Sequence, residues 1–321
     1  MLRIGLLTSG GDCQGLNAAM RGVAKALYEA FDEVEIHGIL DGYRGLIQDR
    51  IRLMKPEDFS GILTLGGTIL GTSRCPFKLM RVIGEDGVDK VEAMKNTIKK
   101  RKLDCLVILG GNGTHKTANL LRAEGVNVVT LPKTIDNDLW GTDMTFGFQS
   151  AVDIAANVID CIHTTATSHG RVFIVEVMGH KVGWLTLHAG IAAGADIVLL
   201  PEIPYDIEKV GSAIERRRKQ GKPFSILAVA EGALSKREAK MSKKELAAAR
   251  QKEGLPSIAY RLVQELEPYV GGESRVCVPG HFQRGGAPCA YDRMLATMLG
   301  AAAARLIREG KYGYMCAIVN N

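Results

Sequence analysis

The residues best suited to chemistry sit in short polar turns, each placed just after a run of apolar residues. Gly10-Gly11-Asp12 follows Ile4–Thr8, and Gly110-Gly111-Asn112-Gly113-Thr114 follows Cys105–Leu109. Glycine lets a backbone turn tightly and approach a ligand with no Cβ in the way. A helix that starts behind such a turn offers unpaired N–H groups and the positive end of its dipole, which suits phosphate. One glycine turn alone is equally ordinary turn chemistry; two after separate apolar runs favour a nucleotide or polyphosphate site. Neither fits GxGxxG or GxxxxGK[ST], which argues against dinucleotide and Walker-type sites.

A third turn, Pro132-Lys133-Thr134-Ile135-Asp136-Asn137-Asp138, follows Val126–Leu131. Two carboxylates and an amide beside a phosphate site suit metal binding or proton transfer; the plainer alternative is an Asx-rich turn capping the next segment. Phosphoryl transfer to an alcohol needs positioning, charge neutralisation and a carboxylate near the attacking hydroxyl. The nearby glycine turns favour that chemistry. Glu176-Val177-Met178-Gly179-His180-Lys181, Glu231-Gly232-Ala233 and Gly280-His281-Phe282-Gln283-Arg284-Gly285-Gly286 close three further apolar runs. A His and an Arg between glycines suit a second phosphate, because Arg forks onto phosphate oxygens.

Strands are expected at Ile4–Thr8, Cys105–Leu109, Val126–Leu131, Val172–Val177, Ile197–Leu200, Ser225–Ala230 and Val276–Val278. Helical patterns alternate with them; Leu16, Ala19/Met20, Val23, Ala26/Leu27 and Ala30/Phe31 keep one apolar face. Repeated βα units predict an α/β fold with two Rossmann-like lobes, their mainly parallel sheets covered by helices. Open parallel sheets bind ligands at the C-terminal strand ends, where these turns lie. A lobe boundary is expected near Leu139–Gly147, giving lobes 1–139 and 140–321, with a C-terminal crossover back to the first lobe. Lys236–Glu253, rich in charge and poor in large apolar residues, is expected as a solvated surface helix or insertion.

A chain of 321 residues is long enough for two lobes, and its 46% apolar content suffices for a large core. The net charge of +6 is mild. Basic clusters at Lys95–Lys102 and Arg216–Lys222 carry no interleaved aromatics, so they are expected as solvated helix faces and nucleic acid is not an expected partner. Seven scattered cysteines without a CxxC pair are expected as reduced core thiols. Structure begins at Ile4 and no apolar stretch reaches spanning length. Neither a signal peptide nor a membrane anchor is therefore expected, and the location expected is cytoplasmic.

Taken together, Thr8–Asp12, Gly71-Thr72-Ser73-Arg74, Gly111–Thr114, Thr134–Asp138, Glu176–Gly179, Pro201-Glu202 and Gly280–Gly286 resemble the 6-phosphofructokinase family over nearly the whole chain. The likeness is to the phosphofructokinase A type, in its mixed-substrate and ATP-dependent branch. Gly-Gly-Asn-Gly-Thr alone also resembles NAD kinases and lipid kinases. The resemblance implies the phosphofructokinase fold, a phosphoryl donor lobe followed by a sugar-phosphate lobe, and a place in glycolysis. It implies that Gly11, Arg74, Cys75, Gly111, Asn112, Gly113 and Thr114 line the donor site. Asp136 would take the proton of the sugar 1-hydroxyl, supported by Asp138 and Thr134. Fructose 6-phosphate would be held by Thr134, Ile135, Asp136, Met178, Gly179, His180, Glu231, His281, Phe282, Gln283 and Arg284. Arg171 and Arg275 match residues that the family supplies across a subunit interface, which implies a homodimer or homotetramer. ATP and Mg²⁺ are the implied co-substrate and cofactor.

Departures matter. Asn112 stands where the family usually has a metal-linked Asp, so it is the candidate metal ligand, with one negative charge fewer. His180 replaces the usual Arg after Met178-Gly179. The chain given ends at Asn320-Asn321, short of a segment that relatives carry. Pyrophosphate-dependent relatives usually have Asp at the position of Gly113 and Lys at that of Lys133. Gly113 leaves room for the α-phosphate and nucleoside of ATP, and Lys133, long and flexible, is expected to swing aside. ATP is therefore the expected donor and pyrophosphate the alternative.

Arg21, Lys25, Asp196 and Lys222 match a nucleotide effector site of bacterial relatives. His163 and Gln220 replace basic residues usual there, so altered control by ADP or phosphoenolpyruvate is expected. Rival readings are a catalytically weak regulatory subunit, favoured by Asn112 and His180, and an NAD or lipid kinase, favoured by Gly110–Thr114. Asp136 argues against the first and Gly280–Gly286 against the second.

Overall fold

The structure, a computed structural model, describes residues 1–85 and 87–320; Asn321, named above at the end of the chain, lies outside the described residues. The chain divides into two compact units, Met1–Ser150 with Arg284–Asn321, and Ala151–Gln283.

The first unit grows from β1 (Leu2–Ser9), whose last six residues are all buried. A strand buried on both faces reads as an unbroken apolar run, and Ile4–Thr8 is one. Next come α1 (Leu16–Ala30), β2 (Val34–Ile39), α2 (Tyr43–Ile47), β3 (Ile51–Met54), α3 (Lys90–Arg101), β4 (Cys105–Gly110), α4 (Asn112–Ala123) and β5 (Val128–Pro132). β4 and β5 are buried throughout. Near the end of the chain, α10 (Ala290–Arg308) and β10 (Tyr314–Met315) join this unit. The sheet order is β10-β5-β4-β1-β2-β3, parallel except for the β2–β3 pair. α1 and α10 cross closely: a Cβ on Gly22 would lie 2.7 Å from Thr297 O, and one on Gly300 2.5 Å from Ala19 O. Only glycine allows that approach.

In the second unit, α5 (Phe148–His169), which begins in the first, leads to β6 (Val172–Val177), α6 (Trp184–Ala192), β7 (Ile197–Leu199), α7 (Ile207–Lys219) and β8 (Ser225–Ala230). Then follow α8 (Lys243–Glu253), α9 (Ile258–Val270) and β9 (Ser274–Cys277). The four strands are all parallel, in the order β7-β8-β6-β9. Leu262, Leu266, Ile214, Leu227 and Val229 form its core.

The α/β expectation holds, with local differences. β5 starts at Val128 rather than Val126, because Val126 N–H is taken by Leu121 O at the end of α4. β9 lies earlier than expected, ending at Cys277 with Val278 exposed. The strands β2, β3 and β10 were not expected: all lie toward or at sheet edges, short or half exposed, where apolar runs are broken. The charged excursion is a surface helix as expected: α8 buries none of its residues and starts in a Ser242–Glu245 capping box. Cys13, Cys105 and Cys316 are buried thiols, whereas Cys161 is exposed. Among the described residues no helix is long and apolar enough to cross a membrane.

Candidate functional site

In the first unit, three strand ends are tied together by the turns that follow them. At the end of β1, Gly10 takes φ 89°, a left-handed conformation that favours glycine. Gly10 N–H donates to Ser73 O at 3.1 Å, and Thr72 Oγ1 donates to Gly10 O at 2.7 Å. These bonds bring the Arg74-Cys75 stretch beside the glycine turn. Arg74 and Cys75 line a cavity of about 360 Å³ with Arg44, Gln48 and Lys90. Ile47, Pro76, Leu79, Met80 and Val88 complete its lining, so the cavity joins an apolar surface to three cations, Arg44, Arg74 and Lys90.

At the end of β4, α4 starts at Asn112 with Gly111 as its cap, and no side chain caps its N-terminus. Asn112 and Gly113 are exposed, and a Cβ on Gly113 would meet open space. Thr114 faces inward: its Oγ1 donates to Ser9 O at 3.3 Å, while Tyr43 Oη donates to Thr114 O at 2.8 Å. His115, one residue on, bridges Thr130 Oγ1 at 3.0 Å and Gly110 O at 2.9 Å. Burial pulls its imidazole down to about 4.

Lys133 joins all three strand ends. Its backbone N–H donates to Gly110 O at 3.1 Å, and its ammonium donates to Gly11 O. The side chain is only 4% exposed. Burial lowers its pKa, Arg284 acts in the same sense, and Asp136 and Asp12 oppose the shift. The expected flexible lysine is therefore a packed one, held under the first glycine turn. Arg284 lies beside it: Nη1 donates to Asp12 O at 3.1 Å and sits 3.0 Å from where a Gly11 Cβ would be.

The turn after β5 is braced through the amide of Asn137. Asn137 adopts φ 50°, which Asn tolerates better than most residues. Its Oδ1 accepts from Thr145 N–H at 2.9 Å, and its Nδ2 donates to Asp143 O at 3.1 Å. Thr145 Oγ1 donates to Thr134 O at 2.8 Å, and Asp136 N–H donates to Thr134 Oγ1 at 3.0 Å. Ile135 is buried, Asp136 half-buried and Asp138 exposed.

In the second unit, Met178-Gly179-His180 ends β6 as a turn held from two sides. Glu231 Oε1 accepts from His180 N–H at 2.6 Å and from Gly179 N–H at 3.3 Å. Gln283, fully buried, accepts from Met178 N–H at 3.2 Å and donates to Gly280 O at 3.1 Å. Gln283 thus fixes the β6 turn to the His281-Phe282 turn. His180, His281 and Phe282 are exposed. Glu176 points elsewhere, accepting from Ala259 N–H at the start of α9.

Arg171 and Arg275 are not at this edge. Arg171 immediately precedes β6, whereas Met178 immediately follows it. Seven residues of extended chain separate them by about 20 Å. Of the effector-site matches, Asp196 is engaged by Arg217 at 2.6 Å.

Sequence reasoning missed Thr145 as part of the site, and read Asn137 for metal or proton chemistry rather than as the brace of its turn. Thr145 lies eight positions beyond Asn137, and its bonds to Thr134 O and Asn137 Oδ1 leave no spacing pattern.

Comparison with known proteins identifies the family and the fold. The family described as Phosphofructokinase matches residues 3–307. An ATP-dependent 6-phosphofructokinase of Spirochaeta thermophila is 56% identical, over 98% of this chain and 86% of that protein. ATP-dependent 6-phosphofructokinase 3 of Bacteroides thetaiotaomicron is 47% identical, over 99% and 89%. The crystal structure of Pichia pastoris phosphofructokinase in the T-state superposes with a TM-score of 0.79 at 34% identity, over 96% of this chain and 32% of that much longer one. With its glycine turns, lysine-tied strand ends and these relatives, the chain belongs to the phosphofructokinase family.

Proposed function

We propose that this protein is an ATP-dependent 6-phosphofructokinase, moving the γ-phosphoryl group of ATP to the 1-hydroxyl of fructose 6-phosphate in glycolysis. The observation that carries the proposal is the convergence of Gly11, of Gly110 at the head of the second glycine turn, and of the Asp136 turn on Lys133. The Spirochaeta thermophila and Bacteroides thetaiotaomicron relatives are named as ATP-dependent, and the space beyond Gly113 is what a nucleoside needs.

The first unit would bind the donor and the second the sugar phosphate. The uncapped start of α4 and the Gly10-Gly11 turn would receive the β- and γ-phosphates, whose charge Lys133 and Arg284 offset. Arg74 and Cys75 would line the nucleoside side. Asp136 would remove the proton from the 1-hydroxyl as its oxygen bonds to the γ-phosphorus. The bond from that phosphorus to the bridging oxygen breaks, leaving ADP and fructose 1,6-bisphosphate. Thr134, whose Oγ1 accepts from Asp136 N–H, would keep that carboxylate placed, and Asp138 would support the site through metal-bound water.

Mg²⁺ fits the donor set. Among the described residues no group of three or more His, Cys, Asp or Glu forms a cage. An amide oxygen from Asn112 and a carboxylate from the Asp136–Asp138 turn suit an ion that keeps water and phosphate ligands. When bound with the nucleotide, Mg²⁺ would offset phosphate charge.

Met178, Gly179, His180, Glu231, His281 and Phe282 would hold the sugar, with Gln283 fixing their turns. Arg171 and Arg275 lie too far along β6 and β9 to serve the same ligand within one chain. A homodimer or homotetramer, with the pair donated to a neighbour, is what that spacing supports. A cytoplasmic location fits these substrates. Lys133 is the one feature favouring pyrophosphate as donor. Initial rates with fructose 6-phosphate and ATP or pyrophosphate, with and without Mg²⁺, decide between them: activity with pyrophosphate alone overturns the proposal.

A further inference from the structure

Arg171 and Arg275 close on a single carboxylate. Arg171 Nη2 lies 2.9 Å from Glu273 Oε2, and Arg275 Nη2 pairs with Glu273 Oε1. The strand register explains the meeting. β6 and β9 run parallel with Val172 opposite Ser274 and Phe173 opposite Arg275, which brings Arg171 level with Glu273. Each carboxylate oxygen thus has its own guanidinium. Two guanidinium groups converging on one small anion is also the arrangement that grips a phosphate.

We infer that Glu273 occupies the anion seat of the Arg171–Arg275 pair and competes there with the 6-phosphate of the sugar, setting its affinity. The inference rests on the assignment of this pair to the sugar phosphate. A phosphate dianion entering beside Glu273 would meet a like charge within hydrogen-bond range of the same two cations, so the carboxylate has to leave. The seat is easily vacated. Arg171, Glu273 and Arg275 side chains are 32%, 48% and 44% exposed, and exposed ion pairs hold weakly. Glu273 also follows Gly271-Gly272, where Gly271 takes φ 57° and a Cβ on Gly272 would touch nothing. Gly271 is held against Arg218, so the open position is Gly272, directly before Glu273.

Glu273→Gln tests this, because it keeps an acceptor oxygen and the side-chain volume while removing the charge. The expected result is a fall in KM for fructose 6-phosphate of about threefold, with kcat and KM for ATP unchanged. Inhibition by inorganic phosphate against the sugar should tighten in parallel. In an Arg275→Ala background the same substitution should change KM by less than about 1.5-fold. An unchanged or raised KM in Glu273→Gln overturns the inference. If Arg171→Ala and Arg275→Ala then still raise KM, the assignment of the pair to the phosphate survives. If those two variants keep the wild-type KM, the assignment and the inference fall together, while kinase activity itself stands apart.

Discussion

The ammonium of Lys133 is hydrogen-bonded to the Gly11 carbonyl, beneath the turn that follows the first strand. A buried cation is costly unless its charge is used, and burial already lowers the Lys133 pKa. Its bond holds the glycine turn, and in the proposed reaction it would also offset the charge of the donor phosphates. Lys133→Met keeps most of the volume, removes the charge and breaks the bond to Gly11. We expect KM for ATP to rise about tenfold while the thermal midpoint stays level or rises, since apolar replacements of buried ions are often neutral or stabilising. Steady-state kinetics and a thermal melt on one preparation check both halves. A melting point lowered by many degrees with KM unchanged would make Lys133 purely structural.

Gly113→Asp isolates donor choice. The new side chain enters open space at the second residue of α4, where a carboxylate is favoured by the helix dipole. Folding should be unaffected, with a thermal midpoint within about 2 °C of wild type. ATP should suffer, because the carboxylate repels the α-phosphate and fills the nucleoside's space. A rise of tenfold or more in KM for ATP, against a smaller change for pyrophosphate turnover, is the expected outcome.

Asp136→Asn separates a base from a binding residue. The turn is braced by Asn137, Thr145 and Thr134, so the amide should sit where the acid did. Loss of a general base costs about 10²- to 10⁴-fold in kcat. KM for fructose 6-phosphate should change less than about threefold. Unchanged turnover would remove Asp136 from the reaction and favour a regulatory subunit.

All but one of the turns were legible because they follow an apolar run that the sheet buries on both faces; β4, β5, β6 and β8 have no exposed residue to break the pattern, whereas the Gly280–Gly286 turn follows the half-exposed β9 and was read from its own glycines. β2 and β3 escaped notice for the opposite reason, since Arg52 and Leu53 of β3 face solvent at the sheet edge. The types of the site residues were readable, but their posture was not. Lys133 looked mobile because lysine is long, and only the arrival of Gly11 from a distant strand shows it pinned. Glu231 and Gln283 read as ligand contacts, and the structure adds what the sequence does not show, bonds from both to the Met178–His180 backbone. Such contacts depend on tertiary pairing, which leaves no periodicity in the chain.

His115 offers a test of the site's stability through pH. Burial lowers it from 6.5 to about 4, so the folded protein holds it neutral between Thr130 and Gly110 O while the unfolded chain accepts a proton near 6.5. A depressed folded pKa contributes stability that is complete above pH 6.5 and is lost as pH falls through about 4. The shift corresponds to about 3 kcal/mol at most. Asp292, raised by burial, acts in the opposite sense as pH falls, so wild type alone cannot isolate the histidine. The difference between wild type and His115→Asn can. Denaturant unfolding at steps between pH 7 and 4 should show the wild type losing stability relative to the variant as pH falls. Parallel curves would mean that His115 takes up its proton equally in both states and that its burial carries no charge penalty.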